Sequence, residues 1–299
     1  MKLDMVAGLA RRIRDSIRDK LTRIATSNTR SIAGKLTLLL FVLYGGDYWD
    51  LNIPIVIFAA IGLVASSLQT NGWYWAVIVA VLAKGSLPRF FVLDNHKILM
   101  IYWALALALS ATPAYLATNA RRLIGLAFLF AVAWKIASPD FAEGSFFHLT
   151  LVVDGRFSGF TRIVGNVSAD ALASNQLSMR DLLSGDITSF KTVDSPGLSM
   201  IAVGMSWWTL FIEGAVAVAF LGAGWSHRLH CLRNPLLILF LLSTYAIATV
   251  IGFGWLLAIC GYAQTENQEK RSRIAFLVAL LVLQLYRAPW TQLTFSPTT

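Results

Sequence analysis

The sequence predicts an all-α fold: a polytopic transmembrane helical bundle of about eight spans, with an N-terminal interfacial amphipathic helix and a small extracytoplasmic insertion. Composition is the first observation that predicts it, because 57% of the 299 residues are hydrophobic and only 14% are charged. Soluble domains use roughly 45 to 50% apolar residues and need more polar surface than this chain supplies. The other two observations are a series of apolar runs and the uneven placement of a net charge of +9.

Residues 3–24 predict a basic amphipathic helix, because apolar side chains recur at helical spacing and basic side chains fill most of the remaining arc. Such a helix is expected to lie flat on an anionic membrane leaflet. The alternative is a solvated helix that docks on another part of the protein. The apolar positions are Leu3, Val6, Leu9, Ile13, Ile17, Leu21 and Ile24, and the basic ones are Arg11, Arg12, Arg14, Arg18 and Lys20.

Apolar runs follow along the rest of the chain and predict the spans one by one. The first and third runs are shorter than the roughly 20 residues that cross a bilayer as a helix, so they tilt, re-enter or extend into their polar flanks. The seventh run is interpreted as one long span. In order, the runs cover residues 36–46, 53–68, 73–83, 98–117, 123–138, 199–224, 235–262 and 274–290.

Charge predicts the orientation, since short cytoplasmic loops hold an excess of Lys and Arg. A cytoplasmic N-terminus places the basic turns at 119–122 and 226–234 inside. The net acidic segment 139–198 then lies outside, where we expect a short strand or a helical hairpin. The basic N-terminal region indicates a membrane-surface partner, and no base-reading module accompanies it. We therefore divide the chain into the N-terminal helix, residues 1–30, and a transmembrane domain, residues 31–299, that includes the 139–198 loop region.

Lys135 and Glu213 are ionisable groups inside apolar runs, where charge is costly and usually faces the bundle interior. At about 1.5 Å per helical residue, both lie at comparable depth in the outer half of the bilayer. The two side chains can therefore form an ion pair or share a proton. For Lys135 the alternative is a snorkelling anchor at the outer interface, and for the two together it is a purely structural ion pair.

His96 stands beside Asn95 at the outer start of the fourth apolar run. Asp94 and Asn95 can cap this helix and fix the imidazole tautomer, although a lone histidine there is usually an ordinary interfacial residue. The four histidines show no metal-ligand spacing, so no metal is expected. Phosphate-binding loops, dinucleotide fingerprints and nucleophile elbows are also absent from the sequence.

Three segments in order, DNHKILMIYWALALALS, RRLIGLAFLFAVAWKIASPDFAEGSFFHLTL and WWTLFIEGAVAVAFL, resemble the horizontally transferred transmembrane domain family, to which vitamin K-dependent gamma-glutamyl carboxylase is related. The resemblance covers about residues 90–290. In that family an Asn-His pair opens one span, a Lys closes another before an aromatic, an acid and a Gly, and a later span carries an acid. The matching residues here are Asn95, His96, Lys135, Phe141, Glu143, Gly144 and Glu213.

The resemblance implies that Lys135 acts as a base toward a quinol or vitamin K-like lipid and that His96 assists. A desolvated lysine has the lowered pKa that such a base needs. Glutamate carboxylation itself is not expected, because the sequence shows no counterpart of the carboxylase's large lumenal domain. The predicted catalytic residues are thus Lys135, His96 and Glu213, and the predicted quinol-binding residues are Asn95, Phe141, Glu143 and Trp208.

The function predicted from these observations is quinol-linked redox or proton-abstraction chemistry at an outer-leaflet pocket of a bacterial cytoplasmic membrane protein. Its partners are anionic lipids, bound through residues 3–24. One alternative is a non-enzymatic membrane component. It would bind a lipid, a membrane protein or an extracytoplasmic protein. A transporter is the third interpretation, against which the absence of an inverted repeat counts.

Overall fold

The computed structural model describes residues 15–16, 28–44, 49–88, 95–248, 250–266 and 268–286. These residues are helical with no strand, which confirms the all-α prediction and excludes the strand alternative for segment 139–198. The basic helix predicted over residues 3–24 lies outside the described residues, apart from Asp15 and Ser16, which are helical.

The described residues form thirteen α-helices, joined in places by short 3-10 turns. In chain order they are α1 (Thr29–Tyr44), α2 (Trp49–Val64), α3 (Gly72–Ser86), α4 (Asn95–Leu109), α5 (Pro113–Ala137), α6 (Pro139–Ala142), α7 (Ser145–Val153), α8 (Ser158–Ile163), α9 (Ala169–Ser184), α10 (Leu198–Gly222), α11 (His227–Ile247), α12 (Ile251–Gln264) and α13 (Lys270–Leu285).

The chain divides into two compact units. The first comprises Met1–Ile124 and Gly252–Val282, and the second comprises Gly125–Ile251 and Leu283–Thr299. Helices α1 to α4, the start of α5, α12 and most of α13 therefore build the first unit. The rest of α5 and helices α6 to α11 build the second.

In the first unit, α12 runs antiparallel to α1. At one end the rings of Tyr44 and Trp255 lie 6.2 Å apart. At the other end the buried Arg273, near the start of α13, donates to the Thr29 hydroxyl at 2.6 Å and to the Thr265 carbonyl at 3.1 Å. The end of α12 thus lies beside the start of α1.

Arg30 ties the start of α1 to the end of α4. Its guanidinium donates to the carbonyl oxygens of Ser110 and, at 3.0 Å, of Leu107. The last carbonyls of a helix have no hydrogen-bond partner within the helix and carry partial negative charge. A cation placed there both donates hydrogen bonds to these carbonyls and is attracted by their charge. The contact of Arg30 with the end of α4 and the contact of Arg273 with the start of α1 therefore lie at the same end of the first unit.

The seventh apolar run, residues 235–262, is not one helix. Helix α11 ends at Ile247, Ala248 is extended, and α12 begins at Ile251. At about 1.5 Å per residue, the 14 residues of α12 reach only about 21 Å. Nearly all of its side chains are buried within the protein. The surrounding helices therefore shield its backbone from lipid, and it does not need the length of a lipid-exposed span.

Two helices of the described part of the chain, α10 and α11, are long and apolar enough to cross a membrane. This property supports the prediction of a membrane protein.

The insertion between α5 and α10 is a helical subdomain with its own apolar core. The first residues of α10 complete this core, so the insertion is packed directly onto α10. Helix α9 begins with the Ser168 hydroxyl accepting from the Ala171 amide at 3.2 Å, and it ends at Gly185 with φ of 84°. The core residues are Phe141, Phe147, Leu151, Val152, Phe157, Val167, Leu172, Leu198 and Ala202.

Candidate functional site

The structure joins Lys135 and Glu213. Lys135 lies in the last turn of α5 and Glu213 near the middle of α10. The Lys135 ammonium donates to Oε1 of Glu213, and the two side chains are 19% and 8% exposed. The ion pair predicted from helix depth is therefore present, while the catalytic roles of both residues stay predictions.

One oxygen of the Glu213 carboxylate is left without a partner. Oε1 binds Lys135, whereas Oε2 is buried and has no hydrogen-bond partner in the structure. A buried polar atom without a partner costs about 1 to 3 kcal/mol. The free oxygen is therefore a position at which a hydroxyl donor would be stabilised.

Two further buried polar side chains of the second unit were not predicted from the sequence. Ser206 lies seven residues before Glu213 on α10, is fully buried, and its hydroxyl has no partner. Tyr245 on α11 is 2% exposed and lies within electrostatic range of Glu213. The sequence contained a signal for Ser206, because its seven-residue spacing from Glu213 places the two side chains on one helix face. Tyr245 could be found only from the tertiary packing.

Phe141 contacts the lysine of the pair. Lys135 Nζ lies 5.1 Å from the centre of the Phe141 ring, within the range of a cation–π interaction. Phe141 is buried and packs edge-on against Phe147 at 5.4 Å. The ring therefore shields one side of the ammonium from water and links the pair to the core of the insertion.

The turn that follows Lys135 is held against α10 by Gly144. This glycine has φ of 83°, in the left-handed region that favours glycine. A Cβ at this position would lie 2.8 Å from Cγ2 and 2.9 Å from the amide nitrogen of Val203. The turn from Pro139 to Gly144 follows the end of α5, and its contact with α10 keeps Phe141 close to Lys135.

Glu143 and Trp208, both predicted to bind a quinol, lie at more exposed positions. Glu143 is exposed at the end of α6. Trp208 is 39% exposed, and its ring lies 6.3 Å from that of Phe211. The structure records no contact of either with Lys135, so a role in the site stays a prediction for both.

Asn95 and His96 belong to the other unit. Asn95 begins α4 and is exposed. The His96 ring lies 6.2 Å from that of Phe253 on α12. Each residue is thus placed within the first unit, and the approach of His96 to Lys135 stays a prediction.

Two side-chain contacts with aspartates also stabilise the turns of the insertion. His148 Nε2 lies 3.0 Å from Oδ2 of Asp194. Asp154 accepts from the Arg156 amide at 2.9 Å and from its guanidinium. Burial acts to raise the pKa of Asp154, but the hydrogen bonds and the charge of Arg156 outweigh it and hold that pKa below its ordinary value.

Among the described residues, no three His, Cys, Asp or Glu side chains are grouped so as to hold a metal ion. Comparison of the chain with known protein families, with curated proteins and with solved structures finds no match.

Proposed function

We propose that the chain is a polytopic protein of a bacterial cytoplasmic membrane, akin to the horizontally transferred transmembrane domain family, that takes a proton from a lipid-soluble quinol at Lys135 and Glu213. The observation that carries the proposal is the buried pair itself, with a basic amine and a carboxylate in contact and Oε2 of Glu213 without a partner. A ligand hydroxyl can bind at that oxygen without displacing the existing contact.

Proton sharing within the pair supplies the base. Moving one proton from Lys135 Nζ to Glu213 leaves a neutral amine and a neutral acid, which removes both charges from a poorly solvated site. The quinol hydroxyl bound at Oε2 then gives its proton to that oxygen while the proton on Oε1 returns to Lys135, and the electron pair of the broken O–H bond stays on the quinol oxygen. The resulting ammonium stabilises the quinolate by direct charge attraction.

The proposal keeps His96 and Asn95 as residues that contact a quinol oxygen. Both stand at the start of α4, the end that the proposed orientation places at the outer leaflet. A neutral imidazole can donate to or accept from a quinol oxygen.

The proposed orientation has a cytoplasmic N-terminus and an extracytoplasmic insertion. The end of α12 and the start of α1 lie together in the first unit, which puts Lys270 and Arg271 on the same side as the basic N-terminal region. A shared cytoplasmic side agrees with the excess of basic residues in cytoplasmic loops. Helices α1 to α5 and α10 to α13 then form the membrane part, with residues 3–24 bound to the anionic leaflet.

Substitution by arginine tests the base, because arginine keeps the cation but does not give up its proton at accessible pH. A short-chain naphthoquinol is added without oxygen to the protein in detergent, and the quinolate absorption is measured. Wild type should produce the quinolate and Lys135→Arg should not. Lys84→Arg, in the last turn of α3, is the matched control and should behave as wild type.

The other outcomes decide against parts of the proposal. Quinolate formation by Lys135→Arg at the wild-type level would contradict the role of Lys135 as base. Binding of the quinol by wild type without quinolate formation would favour the non-enzymatic lipid-binding interpretation. Absence of both would exclude the quinol as a ligand.

A further inference from the structure

The start of α11 carries two metal-binding side chains on one exposed helix face. His227 is the first residue of α11 and Cys231 follows four residues later. Residues four apart on a helix are neighbours on its surface. The thiol sulfur of Cys231 lies 3.5 Å from Nε2 of His227, and both residues are exposed.

The separation of these two atoms fits one metal ion. Zinc binds a cysteine sulfur at about 2.3 Å and a histidine nitrogen at about 2.0 to 2.1 Å with tetrahedral angles, which places the two donor atoms about 3.5 Å apart. The 3.5 Å between Cys231 Sγ and His227 Nε2 matches this value. The two side chains therefore already hold both donor atoms at the spacing that a shared ion requires.

We propose that His227 and Cys231 form a two-ligand surface site for Zn²⁺ or a similar thiol-binding divalent ion. The Cys231 thiol releases its proton to solvent and its sulfur lone pair binds the ion, while neutral His227 binds through Nε2. Water fills the remaining coordination positions, since no third protein ligand is grouped here in the described part of the chain. In the proposed orientation the site faces the cytoplasm, where thiols stay reduced.

The chain offers a direct readout of this site. It has two cysteines, of which Cys231 is exposed and Cys260 is buried. Alkylation of the folded protein by a maleimide therefore reports on Cys231, because the thiolate must be accessible to react. Reaction at Cys260 would reveal unfolding in any variant.

The experiment measures the alkylation rate of the full chain in detergent at chelator-buffered Zn²⁺ concentrations. In wild type, micromolar Zn²⁺ should slow alkylation about tenfold or more. His227→Ala should shift the midpoint of protection to at least about tenfold higher Zn²⁺. His148→Ala, which removes a histidine paired with Asp194 in the insertion, is the control and should match wild type.

Cobalt gives a second readout with its own failure criterion. Co²⁺ bound to a thiolate produces a charge-transfer absorption, which should appear with wild type and be lost in Cys231→Ser. If Zn²⁺ does not slow the alkylation of wild type, or slows it equally in His227→Ala, the proposal is overturned. The contact between the two residues is then an ordinary thiol–imidazole hydrogen bond.

Discussion

Lys135 and Glu213 each compensate for the charge of the other in a site that water reaches poorly. Removing one partner leaves an uncompensated buried charge, which costs about 3 to 5 kcal/mol, whereas replacing both with neutral groups costs less. We expect Lys135→Met and Glu213→Gln each to lower the detergent melting temperature more than the double variant does. Lys84→Met, at an exposed lysine of α3, should have little effect. Additive losses in the double-mutant cycle would show that the two residues are not coupled.

At the scale of elements, the turn between α5 and α7 depends on one glycine. Gly144→Ala adds both a left-handed backbone cost of about 1 to 2 kcal/mol and a clash with Val203 on α10. Gly185→Ala is a matched control, because Gly185 has nearly the same φ and no atom within 4 Å of the added Cβ. Thermal melts should therefore show a clearly larger loss for Gly144→Ala. Equal losses would mean that the contact with α10 does not hold the turn.

At the scale of the whole molecule, dividing the seventh apolar run changes the side on which the α12–α13 loop lies. Eight spans from a cytoplasmic N-terminus would place this loop outside, whereas α12 as a separate span in the proposed orientation would place it inside. In a Cys231→Ser background, an impermeant maleimide applied to intact cells should label Ser184→Cys and spare Gln268→Cys. Labelling of Gln268→Cys from outside would restore the eight-span arrangement. Protection of Ser184→Cys would reverse the proposed side of the insertion.

Composition and periodicity by themselves determined the helical class, the position of most helices and the pairing of Lys135 with Glu213. These properties follow from local causes, because hydropathy sets which segments avoid water and the fixed rise of a helix sets the depth of each side chain. The length and apolar composition of α10 were readable for the same reason. The polarity of the insertion located it in the sequence. The sequence left open whether it contained a short strand or a helical hairpin.

Only the tertiary structure decided where the seventh run breaks, how Gly144 meets α10, and which atoms around the pair lack partners. No charged residue interrupts the run from residue 235 to 262, and its scattered polar and glycine residues do not fix the break at Ala248. The burial of α12 within the first unit makes its short length tolerable, and burial depends on neighbours distant in sequence. The same holds for the unpartnered oxygen of Glu213, since whether a polar atom finds a partner is settled by the packing of whole helices.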